Sequence, residues 1–294
     1  MDKLNILVVG GHPADVFDRC GGTMAHHIRR GDAVTALALT TGIRVHDVVV
    51  AEQLRLHKQE IDKQQLTNLL QERQKGKYAE VIKACDILGI TDVRFLSYDD
   101  KMLLVTGKLV EDVARVIRSV RPHIIITHYP FENGGIAAHH GTTGKIVMHA
   151  AQYAGAVDID DPNPGYRAAQ IFFMMCEEAS FVRSPLAAKS VPFYDYYVDI
   201  SDVVELKVKA LDTMRSQQYG GNSARRQVEA IDGKDGHCMG VPYAEAFLRY
   251  YPEIGDCLPV SNELLERANE PEANHIKRSA VFIAPFVDLP PGES

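Results

Sequence analysis

A histidine and an aspartate follow the first apolar stretch of the chain. The segment "NILVVGGHPADVFDRCGG" places His12 and Asp15 directly after a run of apolar residues and a glycine pair. Imidazole nitrogen and carboxylate oxygen are ligands that suit zinc or a similar divalent ion. The pair therefore indicates part of a metal site, although a histidine after a strand can also be an ordinary hydrogen-bonded residue.

A second group of histidines lies in the middle of the chain. His128 ends the apolar segment "HIIITH", and His139 and His140 lie in the loop after it. In an open parallel sheet, ligands bind where the strands end at their carboxyl edge. Because both groups follow predicted strands, we expect them to meet there and to leave an open position for water or substrate.

The glycines around His12 have a simpler interpretation. The segment "GGHPADVFDRCGG" lacks the GxGxxG pattern and the P-loop lysine, so it does not indicate a dinucleotide or nucleoside triphosphate site. The glycines are typical of a tight turn from a strand into a helix.

Strands alternate with helices over most of the chain. Apolar runs predict strands at Leu4–Val9, Val34–Leu39, 91–96, 123–128, 168–177 and 196–201. Helical spacing predicts helices at Gly21–Arg30, Gly76–Leu88, Leu109–Val120, 141–155 and Val203–Met214. This order predicts a Rossmann-like, three-layer α/β fold with a mostly parallel, doubly wound sheet and helices on both faces.

Other segments show weaker patterns. We interpret "TTGIRVHD" and Tyr129–Gly141 as loops, and the charged, Gln-rich segment Val45–Gln74 as a mobile helix or an excursion from the sheet. We predict a single domain over residues 1–294 that is loop-rich from about residue 218 and ends in a loose tail, "VDLPPGES".

Composition limits the class of partner and the compartment. The chain has 294 residues, is 46% hydrophobic and carries a net charge of −7 without long basic runs, so we expect a small-molecule substrate and no nucleic-acid partner. Its five cysteines form no CxxC pair, which favours reduced thiols. No apolar stretch approaches the roughly 18 residues of a membrane span, and no signal peptide is visible. We therefore expect a cytoplasmic protein that does not bind membranes.

Several segments together resemble the PIG-L (LmbE-like) de-N-acetylase family. The opening "GGHPADVFDRCGGTMAHHIRRGD" is similar to the family signature of alanine, histidine, proline, two aspartates and a glycine pair. "KYAEVIKACDILGI", with Glu80 at the position of the family glutamate, "RPHIIITHYP" and "HHGTTGKIVMHAA" resemble later family segments. "DISDVVELKVKALDTMRSQ" resembles a further segment that ends in Ser216 and Gln217. The similarity extends from Leu4 to Gln217.

The resemblance implies a set of metal ligands and a departure from the usual site. It makes His12, Asp15 and His140 the ligands of Zn²⁺ or another divalent metal such as Fe²⁺ or Mn²⁺. In family deacetylases the first aspartate of the pair takes a proton from the attacking water, and here that residue is Ala14. The family's second motif often reads His, Pro, Asp, His, whereas this chain has Ala137, Ala138, His139 and His140.

The functional prediction depends on the alanine at position 14. One branch of the family, hydratases that act on 4-oxalomesaconate in the catabolism of aromatic compounds, has alanine at this position, and the "ADVF" segment is similar to that branch. Our leading hypothesis is therefore a metal-dependent lyase that adds water to an unsaturated, anionic oxo-carboxylate. The alternatives are an N-acetyl or amide hydrolase with a substitute base, and a metal-binding protein without catalysis.

Four further residues are candidates for the catalytic machinery. His139 and His46 are candidate proton carriers, because imidazole titrates near neutral pH. Arg44 is a candidate for binding a substrate carboxylate through two parallel hydrogen bonds. We expect His128 to support the metal site from the end of its strand. By analogy with the family, we also expect a homo-oligomer.

Overall fold

The predicted α/β class is confirmed. The computed structural model describes residues 2–56, 62–131, 139–174 and 194–274. In this part of the chain, seven strands form one sheet in the order β3-β2-β1-β4-β5-β7-β6. The strands are β1 Asn5–Gly10, β2 Ala33–Thr40, β3 Asp92–Tyr98, β4 Ile124–His128, β5 Gln170–Met174, β6 Tyr196–Asp199 and β7 Ala244–Arg249.

Helices cover both faces of this sheet. The helices in the described ranges are α1 Gly21–Arg30, α2 Ile43–His46, α3 Val48–Leu56, α4 Lys63–Ile87, α5 Gly107–Val120, α6 His139–Ala154, α7 Val204–Asp212, α8 Asn222–Val228, α9 Lys234–Met239 and α10 Asn262–Ala268. Short 3-10 turns lie at Pro13–Val16 and Arg215–Gln217, and a π-helical turn joins α8 to α9 at Glu229–Gly233. No helix in the described ranges has the length and apolar character needed to cross a bilayer.

The strand order creates a crevice at one edge of the sheet. Strands β1 to β5 pair in parallel, and the chain moves outward from β1 in one direction to β2 and β3 and in the other to β4 and β5. The strand order thus reverses between β1 and β4, which is the position where doubly wound sheets bind ligands. Strand β7 pairs antiparallel with both β5 and β6 and completes the sheet.

Two apolar cores explain the continuous apolar character of β1. Ile6 and Val8 belong to the core on the face that carries α1, α4 and α7, whereas Leu7 and Val9 belong to the core beneath α5 and α6. Successive side chains of a strand point to opposite faces. A strand covered on both faces therefore needs apolar residues at every position.

The segment after β2 is more ordered than predicted. Helix α2 occupies "IRVH" within the predicted loop, and α3 follows it directly. Helix α4 begins at Lys63, so the predicted start at Gly76 was wrong. The α2 backbone is held by a distant group, since the buried Asp100 carboxylate accepts hydrogen bonds from the amides of Arg44 and Val45, each at 2.9 Å. Local sequence patterns could not predict this contact, because Asp100 is far from α2 in the sequence.

Two later boundaries also differ from the prediction. Helix α6 begins at His139, so His139 and His140 belong to its first turn and not to a loop. The segment after residue 218 contains α8, α9, β7 and α10 and is less loop-rich than predicted. The predicted tail, as well as Ala137 and Ala138, lies outside the described residues.

Candidate metal centre

A tight turn after β1 brings His12 and Asp15 together. The backbone amide of His12 donates a hydrogen bond of 2.7 Å to Asp15 Oδ2, and the 3-10 turn Pro13–Val16 follows at once. Gly11 permits this packing, because a Cβ atom there would lie 2.6 Å from the Thr143 hydroxyl oxygen on α6. The turn therefore places both side chains against α6 at the carboxyl edge of the sheet.

Strand β4 and helix α6 supply two more imidazoles. His128 is the last residue of β4 and His140 lies in the first turn of α6, and their rings stack with centroids 4.3 Å apart. His140 Nε2 lies 3.5 Å from Asp15 Oδ2. His12, Asp15 and His140 each offer a ligand atom, and these atoms all lie within 4.8 Å of one another. The structure thus brings the three predicted ligands together as a possible metal site.

The donor set fits a divalent cation. Asp15 Oδ2 lies 3.2 Å from His12 Nδ1 and 3.2 Å from His128 Nε2, so three ring nitrogens converge on one carboxylate oxygen. Burial acts to raise the pKa of Asp15, but His140 and His12 outweigh it and hold this pKa well below its usual range. The carboxylate is therefore ionised, as metal coordination requires. Two imidazoles and one carboxylate form the ligand set of many catalytic zinc sites.

His128, the last residue of β4, lies beside the Asp15 carboxylate. Its side chain is fully buried, and its Nε2 lies 3.3 Å from the Gly11 amide, which donates to it. The same nitrogen lies within 3.2 Å of Asp15 Oδ2. His128 thus connects the end of β4 to the turn that carries two of the candidate ligands, and its supporting role stays a prediction.

His139 contacts the far side of the His12 ring. Its Nδ1 lies 3.0 Å from His12 Nε2, while His12 Nδ1 faces Asp15. Histidine ligands commonly use their second ring nitrogen for a hydrogen bond that fixes the orientation of the ring. The position of His139 fits such a role. Burial and the nearby His12 lower the pKa of His139.

His46 also packs against His12. The two rings meet edge to face with centroids 4.3 Å apart. Burial, followed by the nearby His12, lowers the pKa of His46 to about 4. Helix α2 therefore presents a neutral imidazole beside the candidate ligands.

Arg44 is paired at the surface. Its Nε lies 2.9 Å from both carboxylate oxygens of the exposed Asp99. A substrate carboxylate would compete with Asp99 for this guanidinium group. The carboxylate-binding role of Arg44 stays a prediction.

A cavity of about 550 Å³ adjoins His46 and contains residues that the sequence reasoning did not assign to the site. Arg55 on α3 and Gln217, next to α7, line it from opposite elements. Arg55 forms no ion pair with any residue of the described ranges. The resemblance had singled out Gln217, whereas nothing in the pattern of the charged segment around Arg55 indicated a site.

Ala14 lies in the apolar core. It is fully buried and belongs to the cluster that includes Val16 and Phe17. The turn therefore carries no carboxylate at position 14 that could take a proton beside the candidate ligands. Ala137, where the family often has a histidine, lies outside the described residues.

Comparison with known proteins identifies related sequences. Residues 7–151 match the model of the PIG-L family, described as GlcNAc-PI de-N-acetylase. The chain is 25% identical over 223 residues to diacetylchitobiose deacetylase of Thermococcus kodakarensis, which covers 74% of this chain and 71% of the relative. It is 23% identical over 269 residues to 4-oxalmesaconate hydratase of Pseudomonas putida, which covers 86% of this chain and 91% of that relative. Several other relatives are acetamido-sugar deacetylases.

Solved structures share the fold. The 4-carboxy-2-hydroxymuconate hydratase of Pseudomonas putida superposes with a TM-score of 0.68 at 21% identity, covering 88% of this chain and all of that protein. At this level of identity the likeness supports the fold and says nothing of the reaction.

Proposed function

We propose that this chain, a member of the PIG-L enzyme family through its residues 7–151, is a metal-dependent hydratase. Its substrate class is a small unsaturated oxo-carboxylate, and its reaction adds water across the activated double bond. The observation that carries the proposal is Ala14, which stands where family deacetylases have the aspartate that activates water.

The loss of this aspartate weighs against amide hydrolysis. A methyl group accepts no proton, and a missing general base typically lowers the rate by ~100- to 10,000-fold when nothing replaces it. Yet His12, Asp15 and His140 still form a compact donor set. A site that keeps its metal ligands but lacks the general base fits a protein with a different reaction better than a protein without any catalytic activity.

The proposed ligands are His12, Asp15 and His140, with His128 and His139 orienting them. A metal bound there would supply a Lewis acid that polarises a substrate oxygen and lowers the pKa of water. Zinc, iron and manganese all accept this donor set.

We assign proton transfer to His46, because this imidazole contacts His12 and also lines the cavity. Water addition forms one C–O bond and one C–H bond. It therefore needs a group that takes a proton from water and a group that delivers a proton to the neighbouring carbon. Arg55, which lines the same cavity, is a second candidate beside Arg44 for binding a substrate carboxylate.

Relatives of both kinds bear on the proposal. The 4-oxalmesaconate hydratase aligns over 86% of this chain, and the deacetylase of Thermococcus kodakarensis over 74%. The wider coverage of the hydratase supports the proposal. The family's own description and several relatives favour the hydrolase alternative.

The deciding experiment is a substrate screen with metal-loaded enzyme. Unsaturated oxo-acids and N-acetylated amino sugars are supplied in parallel, and each reaction is followed both by loss of conjugated-enol absorbance and by release of primary amine. We expect water addition without amine release. Release of acetate and amine with no water addition would reject the hydratase in favour of the deacetylase.

A further inference from the structure

A cavity beside the candidate metal centre is formed by two separate parts of the chain. One wall is made of α2 and α3 and includes His46, Glu52 and Arg55. The opposite wall is Gln217–Tyr219, at the turn after α7. Its volume of about 550 Å³ lies within the range of small-molecule sites. His46 lines this cavity and also contacts His12, so one side chain joins the cavity to the three candidate ligands.

The Gln217 side chain has an unused acceptor. Its Oε1 atom is buried and receives no hydrogen bond from any residue that the structure describes. A buried polar atom without a partner is costly, so such atoms are uncommon unless a ligand or water satisfies them. A ligand that donates a hydrogen bond would remove this cost.

A set of half-buried hydrogen bonds fixes the turn that carries Gln217. The Glu80 carboxylate on α4 accepts hydrogen bonds from the Ser216 hydroxyl at 2.6 Å and from the Ser216 amide at 3.1 Å. The Thr213 hydroxyl donates to the Glu80 carbonyl at 3.1 Å. The backbone next to Gln217 is therefore held from α4, which fixes the point from which the Gln217 side chain extends into the cavity.

We infer that Gln217 binds a hydroxyl group of the substrate and that Glu80 is a positioning residue that acts through Ser216. The inference rests on the proposed function, which puts the reacting end of the substrate at the metal centre and the remainder in this cavity. The hydroxyl group belongs either to a hydroxy- or enol-carboxylate or to a sugar. The recognised chemistry is the same in both cases: an O–H group donates to Gln217 Oε1.

Two pairs of probes test this inference in the metal-loaded protein. Malate and succinate are both four-carbon dicarboxylates, and only malate carries a hydroxyl group. N-acetylglucosamine and N-cyclohexylacetamide share an acetamide on a six-membered ring, but only the first carries hydroxyl groups. Calorimetric titration gives the affinity ratio within each pair, for the wild type and for Gln217→Met, Glu80→Gln and the double variant.

Gln152→Met is the matched control, because Gln152 is exposed on α6 and is not among the residues that line this cavity. Metal content and thermal unfolding are measured for every variant, so that a loss of fold or of metal is recognised separately. Methionine preserves the length of the side chain and removes its acceptor.

We expect the wild type to prefer the hydroxylated member of one pair by roughly three- to tenfold, the usual range for one neutral hydrogen bond. In Gln217→Met this ratio falls to about one, while Gln152→Met keeps it. Glu80→Gln lowers the ratio, and the double variant is no worse than Gln217→Met, because both changes remove the same contact.

Three outcomes overturn the inference: an unchanged ratio in Gln217→Met, an equal loss in Gln152→Met, or no hydroxyl preference of the wild type in either pair. The two pairs also separate this inference from the proposed function. A Gln217-dependent preference within the amide pair alone would keep the inference and reject the oxo-carboxylate substrate class.

Discussion

At the scale of single residues, the three candidate ligands make a direct prediction about metal binding. His140→Ala should remove most of the bound metal and the activity, because a site with three protein ligands loses both affinity and geometry with one of them. Elemental analysis after purification without chelator measures the occupancy. His149→Ala is the matched control, since His149 lies exposed on the same helix. Full occupancy in His140→Ala would show that the ligand set is wrong.

Ala14→Asp tests the change of reaction. The new carboxylate would stand near Asp15 in a buried position and would repel an anionic substrate by on the order of several kcal/mol. Hydratase turnover should then fall by more than a hundredfold. Because Ala14 packs in the apolar core, we also expect a lower free energy of unfolding. Water addition, amide hydrolysis and urea unfolding are measured on one preparation.

The deacetylase alternative makes the opposite prediction for Ala14→Asp. Restoring the family base should then raise amide hydrolysis strongly, with no water addition to lose. A large gain in deacetylation in a folded, metal-loaded variant would therefore defeat the hydratase proposal.

Residue types at strand ends predicted that His12 and Asp15 would meet the second group of histidines, and the family resemblance singled out His140 in that group. Parallel strands bring their carboxyl ends to one edge whatever the details of packing. The partners of Arg44 could not be predicted in this way, because its ion pair with Asp99 depends on how α2 lies against the segment after β3. The partners of a side chain that points outward from a loop depend on how distant segments pack, which local sequence patterns do not show.

At the scale of elements, Lys77 connects α4 to the metal centre. Its ammonium group is fully buried and donates a hydrogen bond of 2.6 Å to the carbonyl oxygen of Gly42. Burial lowers the pKa of Lys77 to about 8, and none of the described carboxylates forms an ion pair with it. Gly42 has a φ of 60° and packs so closely on Pro13 that a Cβ atom would lie 2.6 Å from Pro13 Cδ. Lys77 thus holds the residue against which the His12 turn packs.

Lys77→Met should therefore weaken metal binding. We expect about a tenfold loss of affinity, the lower end of the effect of removing groups that orient metal ligands. The measurement is a competitive zinc titration with a chromophoric chelator. Lys83→Met, at an exposed position of the same helix, should bind zinc like the wild type. Equal affinities of the two folded variants would contradict a role of Lys77 in positioning the turn.

The elements that sequence patterns predicted well are those with strong internal signals. Helix α1 has the predicted bounds, and β1 to β4 were found from their apolar runs. Helix α2 was missed because four residues carry no helical period and the helix depends on Asp100 for its backbone contacts. Strand β7 was missed because its segment "AEAFLR" is interrupted by charged residues, and it enters the sheet only through antiparallel pairing with β5 and β6.

At the scale of the whole molecule, a buried charge cluster connects the last third of the chain to its beginning. Lys207 on α7 lies 2.8 Å from Asp232 and 2.8 Å from Glu245 on β7. The Glu245 carboxylate also accepts hydrogen bonds from the amides of Gly22 and Thr23 at the start of α1. We therefore propose that the segment after residue 218 unfolds together with the sheet, as the predicted single domain requires.

The protonation of this cluster should make stability depend on pH. Burial raises the pKa of Asp232 to about 7, with Glu245 adding to the effect and Lys207 opposing it. The unfolded chain releases this proton near the ordinary value of 3.8. Between these values the native state binds more protons than the unfolded state, so the Asp232 contribution to the free energy of unfolding falls as pH rises and becomes constant above about 7.

Asp232→Asn should remove this dependence, because asparagine resembles the protonated acid at every pH. Lys207 keeps its ion pair with Glu245 in the variant. We expect the variant to be more stable than the wild type at pH 8, by on the order of a few kcal/mol, and the difference to shrink at pH 5. Urea unfolding at both pH values gives the difference, in which the titration of all other groups cancels. Asp256→Asn, at an exposed position, is the control and should show no such trend. A difference between Asp232→Asn and the wild type that is the same at pH 5 and pH 8 would mean that Asp232 is ionised in the native protein throughout this range.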